Sequence, residues 1–299
     1  MSNAKAYAGI ARAPFLLLPV TLVASGAAAA AWAGAFSRLH SIVALVGLVA
    51  LHAAVNSLNE ASDMRTGIDL ATKRTPFSGG SGTLPSGALS VRTARAFGLI
   101  CALIGLIIGI WFVSRIGTVL IPVMVGGAIC VLGYTNLLAR IGLGEIAAGA
   151  GLGLLPVMGA GLVQEGTLPP AAIAASIPAF FMTFNLLLLN EFPDEEADRA
   201  GGRRNLVILF GRRAAALIYV IAAILTPLSI IGAVVMKVLP LYALAGVLPS
   251  IVMLPGPVTW ALRSFREEVP IPALGANVIW NLTTNTLLCA GLVVATLIA

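Results

Sequence analysis

Residues 170–198 read PAAIAASIPAFFMTFNLLLLNEFPDEEAD, and this stretch decides the fold. Its first 21 residues carry no charge, and a helix of about 20 apolar residues crosses the hydrocarbon core of a bilayer. Five acidic side chains then follow within eight residues. The stretch therefore predicts a membrane-spanning helix with a cluster of carboxylates where the helix leaves the membrane.

The composition of the whole chain also indicates a membrane protein. Of 299 residues, 59% are hydrophobic and 10% are charged, whereas a soluble domain has about 25% charged residues. The net charge of +6 does not indicate a nucleic-acid-binding protein, because the charges lie between apolar stretches. The three cysteines lie inside apolar stretches without metal-binding spacing, so we interpret them as small hydrophobic residues.

Nine stretches are long and apolar enough to span a lipid bilayer. We therefore predict an all-α, polytopic membrane protein in which nine transmembrane helices form one bundle and one domain, residues 1–299. The predicted spans are about residues 14–36, 40–60, 96–114, 117–138, 144–164, 170–191, 213–236, 239–262 and 276–298.

The basic residues predict the orientation in a cell inner or plasma membrane. With the N-terminus in the cytoplasm, 15 Lys and Arg residues lie in cytoplasmic segments and three lie outside, the bias that orients membrane proteins. The C-terminus is then outside. Eleven of the twelve acidic residues also fall on the cytoplasmic side, where long loops are expected at about 61–95 and 192–212. Because long loops on one face are usually functional, we expect a site at the cytoplasmic mouth.

The pattern Asn-Glu-x-x-Asp occurs twice. One copy begins at Asn59 and the other at Asn190, 131 residues and four predicted spans later, so the two helices that carry them point the same way. The repeat predicts a parallel four-helix pseudo-repeat followed by a ninth span. The two copies would then face each other across a pseudo-twofold axis along the membrane normal.

The spacing of this pattern places oxygen ligands on one helix face. Positions i and i+4 share a face, so Asn59 lies beside Asp63, and Asn190 lies beside Asp194. Carboxylates and amides without thiolates or paired histidines suit Mg²⁺ better than Zn²⁺. Mg²⁺ commonly shares its shell with phosphates, whose remaining charge basic residues can neutralise. The basic residues that follow the two copies are Lys73, Arg74, Arg199, Arg203 and Arg204.

These residues resemble the UbiA family of intramembrane prenyltransferases, and most of all its branch that prenylates dihydroxynaphthoate in menaquinone synthesis. Glu60 departs from the family pattern, which usually has Asp at that position. The motifs that carry the resemblance are Asn56-Ser-Leu-Asn59-Glu60-Ala-Ser-Asp63-Met-Arg-Thr-Gly67-Ile-Asp69, residues 190–204, Tyr134-Thr135 and Gly142-Leu-Gly-Glu145.

The resemblance implies Mg²⁺-dependent transfer of an isoprenyl group from a prenyl diphosphate to an aromatic, quinone-precursor-like acceptor within the membrane. The Mg²⁺ ligands that it implies are Asn59, Asp63, Asp69, Asn190, Asp194 and Asp198. The diphosphate contacts that it implies are Lys73, Arg74, Arg199 and Arg203. The catalytic residues that it implies are Asp63, Asp194 and Tyr134. The ring face of Tyr134 would stabilise the allylic cation.

Two other functions stay open on the sequence. Some relatives cyclise the prenyl diphosphate, and the short segment between Tyr134-Thr135 and Gly142 permits that outcome. A non-enzymatic small-molecule transporter would also show internal repeats. Its coupling residues would lie near the middle of the membrane, however, whereas almost all ionisable residues here lie at one face.

Overall fold

The computed structural model describes residues 3–299, and within this range all regular elements are helices. This confirms the all-α prediction. In chain order the helices are α1 (Asn3–Ile10), α2 (Ala13–Trp32), α3 (Arg38–Thr66), α4 (Ile68–Ala71), α5 (Val91–Ile116), α6 (Thr118–Leu132), α7 (Gly144–Leu162), α8 (Pro170–Ala200), α9 (Leu206–Val235), α10 (Leu241–Met253), α11 (Pro255–Arg263) and α12 (Ile271–Ile298).

Seven of these helices are each long and apolar enough to cross a membrane: α2, α3, α5, α7, α8, α9 and α12. Helices α10 and α11 are bent by 50° relative to each other and make an eighth candidate when they are taken as one span. Helix α6 is apolar but shorter. Each of the nine predicted stretches thus has a helical counterpart, but the residues described support seven or eight spans, and the pseudo-repeat stays a prediction.

The outward surface of the bundle is apolar. On α5, Ile100, Leu103 and Ile107 each leave 53–58% of their surface exposed. Large apolar patches are unfavourable in water and normally mark an interface. The surface of the bundle therefore fits a lipid environment, which identifies the chain as an integral membrane protein.

Small residues let the helices approach each other closely. A Cβ atom on Gly26 of α2 would lie 2.3 Å from the carbonyl oxygen of Val157 on α7. A Cβ atom on Gly153 of α7 would lie 2.4 Å from the carbonyl oxygen of Ala179 on α8. Lipid is as apolar as the side chains, so the hydrophobic effect does not drive helices together within a membrane. Close backbone packing of this kind therefore supplies much of the free energy of helix association there.

A closed set of hydrogen bonds joins α8, α9 and α12 inside the bundle. Tyr219 donates its hydroxyl to Asn277 Oδ1 at 3.0 Å, and Asn277 Nδ2 donates to the carbonyl of Asn185 at 3.0 Å. Asn185 Nδ2 in turn donates to the carbonyl of Tyr219 at 2.9 Å. Because buried polar groups away from water need partners, these bonds fix the position of α8, which carries the second motif.

Both motif helices continue beyond the predicted membrane edge. Helix α3 runs to Thr66 and α8 runs to Ala200, so the loops predicted at 61–95 and 192–212 are shorter in the structure. Helix α3 ends at Gly67, whose φ of 83° lies in the left-handed region that favours glycine at a helix end. Hydropathy marks the membrane boundary, whereas capping residues mark the helix end, and the two do not coincide here.

We expect the substitution Gly26→Ala to lower the free energy of unfolding by about 1–3 kcal/mol, the usual cost of an extra group in a packed interior. The added methyl group would meet the backbone of Val157. Thermal unfolding in detergent micelles measures the effect. Gly232→Ala on α9, where a Cβ atom meets nothing within 4 Å, is the matched control and should not destabilise the protein. Equal losses in both variants would contradict the close contact of α2 with α7.

Candidate functional site

A cavity of about 200 Å³ lies between α2, α3, α8 and α12, and its wall contains residues of both copies of the repeated motif. Further into the bundle the wall is mostly apolar, with Leu18, Val55, Leu152 and Leu187 among its side chains. The cavity thus has an acidic end and an apolar body. The predicted metal ligands in its wall are Asn59, Asp63, Asp69, Asn190, Asp194 and Asp198.

Arg203 connects the two motif helices at the acidic end. Its Nη2 donates to Asp63 Oδ1 at 2.6 Å and to Asn59 Oδ1 at 2.8 Å, and its Nη1 lies 3.4 Å from Asp198 Oδ1. The side chain is only 13% exposed. Burial opposes the charge of the guanidinium, but the adjacent Asp63 and Asp198 outweigh it and hold the pKa of Arg203 above its ordinary value.

A tight turn after α8 brings Arg203 to this position. Gly202 adopts a φ of 82°, in the left-handed region that favours glycine, and the Arg203 backbone N–H donates to the carbonyl of Asp198 at 2.9 Å. Asn205 Nδ2 donates to Asp198 Oδ2 at 3.0 Å, while Asn205 Oδ1 accepts from the N–H of Ile208 and caps α9. One turn therefore positions Arg203, orients Asp198 and starts the next helix.

Several acidic oxygens in the cavity are buried without a hydrogen-bond donor among the described residues. Buried polar atoms are normally paired, so these oxygens indicate a place for a cation. The atoms are Asp69 Oδ2, Glu191 Oε2 and Asp194 Oδ1, while Asp198 Oδ1 has only the Arg203 guanidinium at 3.4 Å. Burial raises the pKa of Asp69 to about 7, and the nearby Asp63 and Glu60 add to the rise.

The donor set fits Mg²⁺ shared with a phosphate ligand. Five acidic side chains line the cavity against two arginines, so the cavity has an excess of negative charge. No three His, Cys, Asp or Glu side chains within residues 3–299 converge on one point. A cation that takes only one or two protein carboxylates and completes its shell with phosphate and water is the usual Mg²⁺ arrangement.

Three of the four predicted phosphate contacts lie outside the cavity wall. Lys73 Nζ lies 3.6 Å from Glu268, and both side chains are exposed. Arg199 pairs with Glu195 one helical turn earlier, also at the surface. Arg74 is exposed and packs its guanidinium against Gly82. The structure does not bring these three side chains to the site, because the helix and loop faces that carry them point elsewhere.

Arg12 is a residue of the cavity wall that the motifs did not indicate. It precedes α2 and has a φ of 53°, which is uncommon outside glycine. Its Nε lies 3.5 Å from Glu60 Oε1. Strained backbone is often found at functional sites. A single arginine directly before the first apolar span was the sequence signal that could have identified it.

Tyr134 also lies in the cavity wall, in the segment that follows α6. Burial raises the pKa of its phenol, so the side chain stays uncharged. The adjacent Thr135 donates its hydroxyl to Asn59 Oδ1 at 3.3 Å. The structure thus places Tyr134 beside the first motif, as a catalytic role for it requires.

Three polar side chains line the cavity away from the acidic end: His52, Thr183 and Asn281. His52 precedes Asn59 by seven residues, or about 10 Å along the helix axis. Its Nδ1 is buried without a partner among the described residues. Asn281 Nδ2 donates to the hydroxyl of Thr183 at 3.3 Å. Polar groups inside a membrane protein are unfavourable unless they serve structure or function.

A sequence model of the UbiA prenyltransferase family matches residues 17–270, which is most of the chain. The chain is 25% identical over 220 residues to the 1,4-dihydroxy-2-naphthoate octaprenyltransferase of Escherichia coli K12, a match that covers 71% of this chain and 70% of that protein. It is 32% identical over 140 residues to the chloroplastic chlorophyll synthase of Arabidopsis thaliana, which covers 44% of this chain and 36% of that protein.

The fold is similar to that of solved structures. One is a UbiA homolog from Archaeoglobus fulgidus bound to GPP and Mg²⁺, with a TM-score of 0.64 and 17% sequence identity. The match covers 97% of this chain and 99% of that chain. At this level of identity the similarity establishes the fold alone.

We expect the substitution Arg203→Ala to lower the free energy of unfolding by about 3 kcal/mol, because it leaves the buried Asp63 and Asp198 without their counter-charge. Thermal unfolding in detergent without divalent cations measures the loss. The neighbouring Arg204 is exposed, and Arg204→Ala is the matched control, with an expected change within about 0.5 kcal/mol. The role of Arg203 as a bridge is excluded when the two variants unfold at the same temperature.

Proposed function

The chain belongs to the UbiA prenyltransferase family, and from this premise we propose that it transfers an isoprenyl group from a prenyl diphosphate to an aromatic acceptor within the membrane, with Mg²⁺ as cofactor. The observation that carries the proposal is the meeting of both motif copies at the acidic end of one otherwise apolar cavity. The match to a dihydroxynaphthoate prenyltransferase favours an acceptor of the menaquinone-precursor type.

The acidic end would hold the Mg²⁺–diphosphate headgroup. Asn59, Asp63, Asn190 and Asp194 are the proposed metal ligands, with Asp69 and Asp198 as further ligands or as partners of bound water. Mg²⁺ in such a site neutralises the charge that develops on the leaving diphosphate. The buried acidic oxygens without donors support this assignment, because a cation would satisfy them.

Arg203 and Arg12 are the proposed contacts to the phosphate oxygens. Both line the cavity, whereas Lys73, Arg74 and Arg199 do not. As the C1–O bond of the substrate breaks, the electron pair stays with the diphosphate oxygen. Guanidinium groups already fixed at that position stabilise the new charge without reorganisation.

The apolar body of the cavity would hold the isoprenyl chain and keep water from the allylic cation. Tyr134 lies in the wall near the motifs, and its ring face is the proposed stabiliser of that cation. The new bond forms between C1 and an electron-rich ring carbon of the acceptor, which then loses its proton. Three polar side chains support an acceptor with polar substituents: His52, Thr183 and Asn281. An isoprenyl chain has no polar group to which they could bind.

We further propose nine membrane crossings, in which the α10–α11 pair and the short α6 each count as one. The N-terminus and the acidic mouth would face the cytoplasm, and the C-terminus would lie outside. The excess of Lys and Arg in the segments on the side of the mouth supports this orientation. Cysteine accessibility labelling in sealed vesicles tests it.

We expect Asp63→Asn and Asp194→Asn each to reduce the turnover number by about 100-fold or more, and we expect Asp194→Asn, which breaks no ion pair with Arg203, to change the unfolding temperature little. Each substitution removes a negative charge that faces the headgroup. Mg²⁺-dependent diphosphate release and prenylated product, both measured in detergent, provide the assay. Glu196→Gln is the matched control, because Glu196 lies on the same helix end but is exposed. Near-normal diphosphate release by either aspartate variant would refute the assignment.

We expect His52→Leu to raise the KM of the acceptor by about 10-fold, the equivalent of one lost hydrogen bond, and to leave the KM of the prenyl diphosphate unchanged. The acceptor comes from a screen of 1,4-dihydroxy-2-naphthoate, 4-hydroxybenzoate and homogentisate with short and long prenyl diphosphates. A cyclised product made without any acceptor would identify a cyclase instead. Flux into liposomes without turnover would identify a transporter.

A further inference from the structure

Glu60 belongs to the first motif but not to the wall of the cavity. Its side chain is 2% exposed, and both carboxylate oxygens bind Ser81. The backbone N–H of Ser81 donates to Oε1 at 2.6 Å, and the Ser81 hydroxyl donates to Oε2 at 2.6 Å. The Arg12 Nε lies 3.5 Å from Oε1. Glu60 thus connects α3 to a loop and to the arginine that precedes α2.

The loop that Glu60 binds contains the glycine-rich segment, residues 77–83, which reads FSGGSGT. Gly79, Gly80 and Gly82 have φ values of 80°, 71° and 73°, so this backbone path is open to glycine and strained for other residues. Phe77, Ser78, Gly79 and Gly80 form part of the cavity wall. The segment therefore covers the acidic end of the cavity.

Two acidic residues of the site lie next to the glycine-rich segment. Asp194 lines the cavity together with Gly79. A Cβ atom on Gly80 would lie 2.6 Å from Asp69 Oδ1, so a side chain at position 80 would displace that carboxylate. The position of the segment and the positions of these carboxylates are thus coupled.

The length of the Glu60 side chain matters for this arrangement. Its two oxygens accept hydrogen bonds from two different atoms of Ser81, and Oε1 also lies 3.5 Å from Arg12 Nε. Aspartate, with one methylene group fewer, cannot reach both Ser81 atoms unless the backbone of α3 or of the segment moves. The geometry therefore accounts for glutamate at a position where relatives usually have aspartate.

We propose that Glu60 is a positioning residue that fastens the glycine-rich segment over the headgroup end of the cavity and orients Arg12 beside it. The proposal rests on the proposed function, because the fastened segment would set the affinity for the prenyl diphosphate. Glu60 itself does not contact the headgroup or the metal. Its loss should raise the KM of the prenyl diphosphate and leave the chemical step nearly unchanged.

Limited trypsin digestion in detergent measures how firmly Glu60 holds the glycine-rich segment, and it needs no assay of activity. Lys73 and Arg74 are exposed and directly precede the glycine-rich segment, and cleavage there reports how often the segment opens. We expect cleavage about 10-fold faster in Glu60→Asp, which loses charge-assisted hydrogen bonds to Ser81. Ser81→Ala should show a smaller effect in the same direction. Cleavage after the exposed Arg263 is the internal reference for global unfolding.

Three further variants test whether the cleavage rate depends on the contact between Glu60 and Ser81. Glu60→Gln can keep both bonds to Ser81, so its segment should stay protected from trypsin although the ion pair with Arg12 is lost. The double variant Glu60→Asp with Ser81→Ala should open less than the two single effects added together, because both changes break the bond between the Ser81 hydroxyl and Glu60, and only the contacts of Ser81 with Thr83 are lost in addition. Arg92→Gln, at the exposed start of α5 that follows the loop, is the matched control, and its cleavage rate after Lys73 and Arg74 should equal that of the wild type.

Steady-state kinetics with geranyl diphosphate supply the second readout. We expect Glu60→Asp to raise its KM by about 10-fold, as loss of a supporting contact commonly does, with kcat within about twofold of the wild type. Wild-type cleavage rates in both Glu60→Asp and Ser81→Ala would overturn the proposal. So would a fall in kcat that excess Mg²⁺ restores, since Glu60 would then be a metal ligand. If the wild-type protein makes no prenylated product, the proposed function alone is refuted. The trypsin cleavage rates would still show whether Glu60 holds the glycine-rich segment in place.

Discussion

The structure depends on one electrostatic constraint: two groups of carboxylates share a cavity at the end of a membrane-spanning bundle, and they can do so only with positive charge between them. Arg203 supplies part of that charge, with contacts to Asp63 on one motif helix and Asp198 on the other. Asp69 Oδ2, Glu191 Oε2 and Asp194 Oδ1 have no donor among the described residues. This excess of negative charge lowers the stability of the folded protein, and in the proposed reaction the Mg²⁺ that accompanies the diphosphate would offset it.

Much of this arrangement could be predicted from the sequence, for reasons that are physical. Lipid forces the backbone into helices, and a motif with i, i+4 spacing then has a defined face. Asn59, Asp63, Asn190 and Asp194 could for this reason be assigned to one site, and the family prediction is confirmed by the match over residues 17–270. The composition of the apolar stretches likewise predicted the helices themselves.

Other features depend on geometry that a linear sequence does not contain. Arg199 and Arg203 both follow the second motif. The turn at Gly202 directs Arg203 to the cavity, whereas Arg199 lies on the helix surface and pairs with Glu195. Arg12 comes from a distant part of the chain and reaches the site through an unusual backbone conformation. Hydropathy predicted one span at about residues 239–262, where the structure has α10 and α11, because a bend between two apolar helices leaves the hydropathy unchanged. The sequence shows only that Glu60 departs from the family pattern, and the structure adds that its oxygens face Ser81.

The cavity has an acidic end and an apolar body, and for the proposed reaction this shape separates the products into two phases. A diphosphate anion partitions into water, and a prenylated ring partitions into the hydrocarbon of the bilayer. Each product therefore leaves through the end of the cavity that resembles its own solvent. Once the products have entered separate phases, they rarely meet again at one site, so their partitioning opposes the reverse reaction.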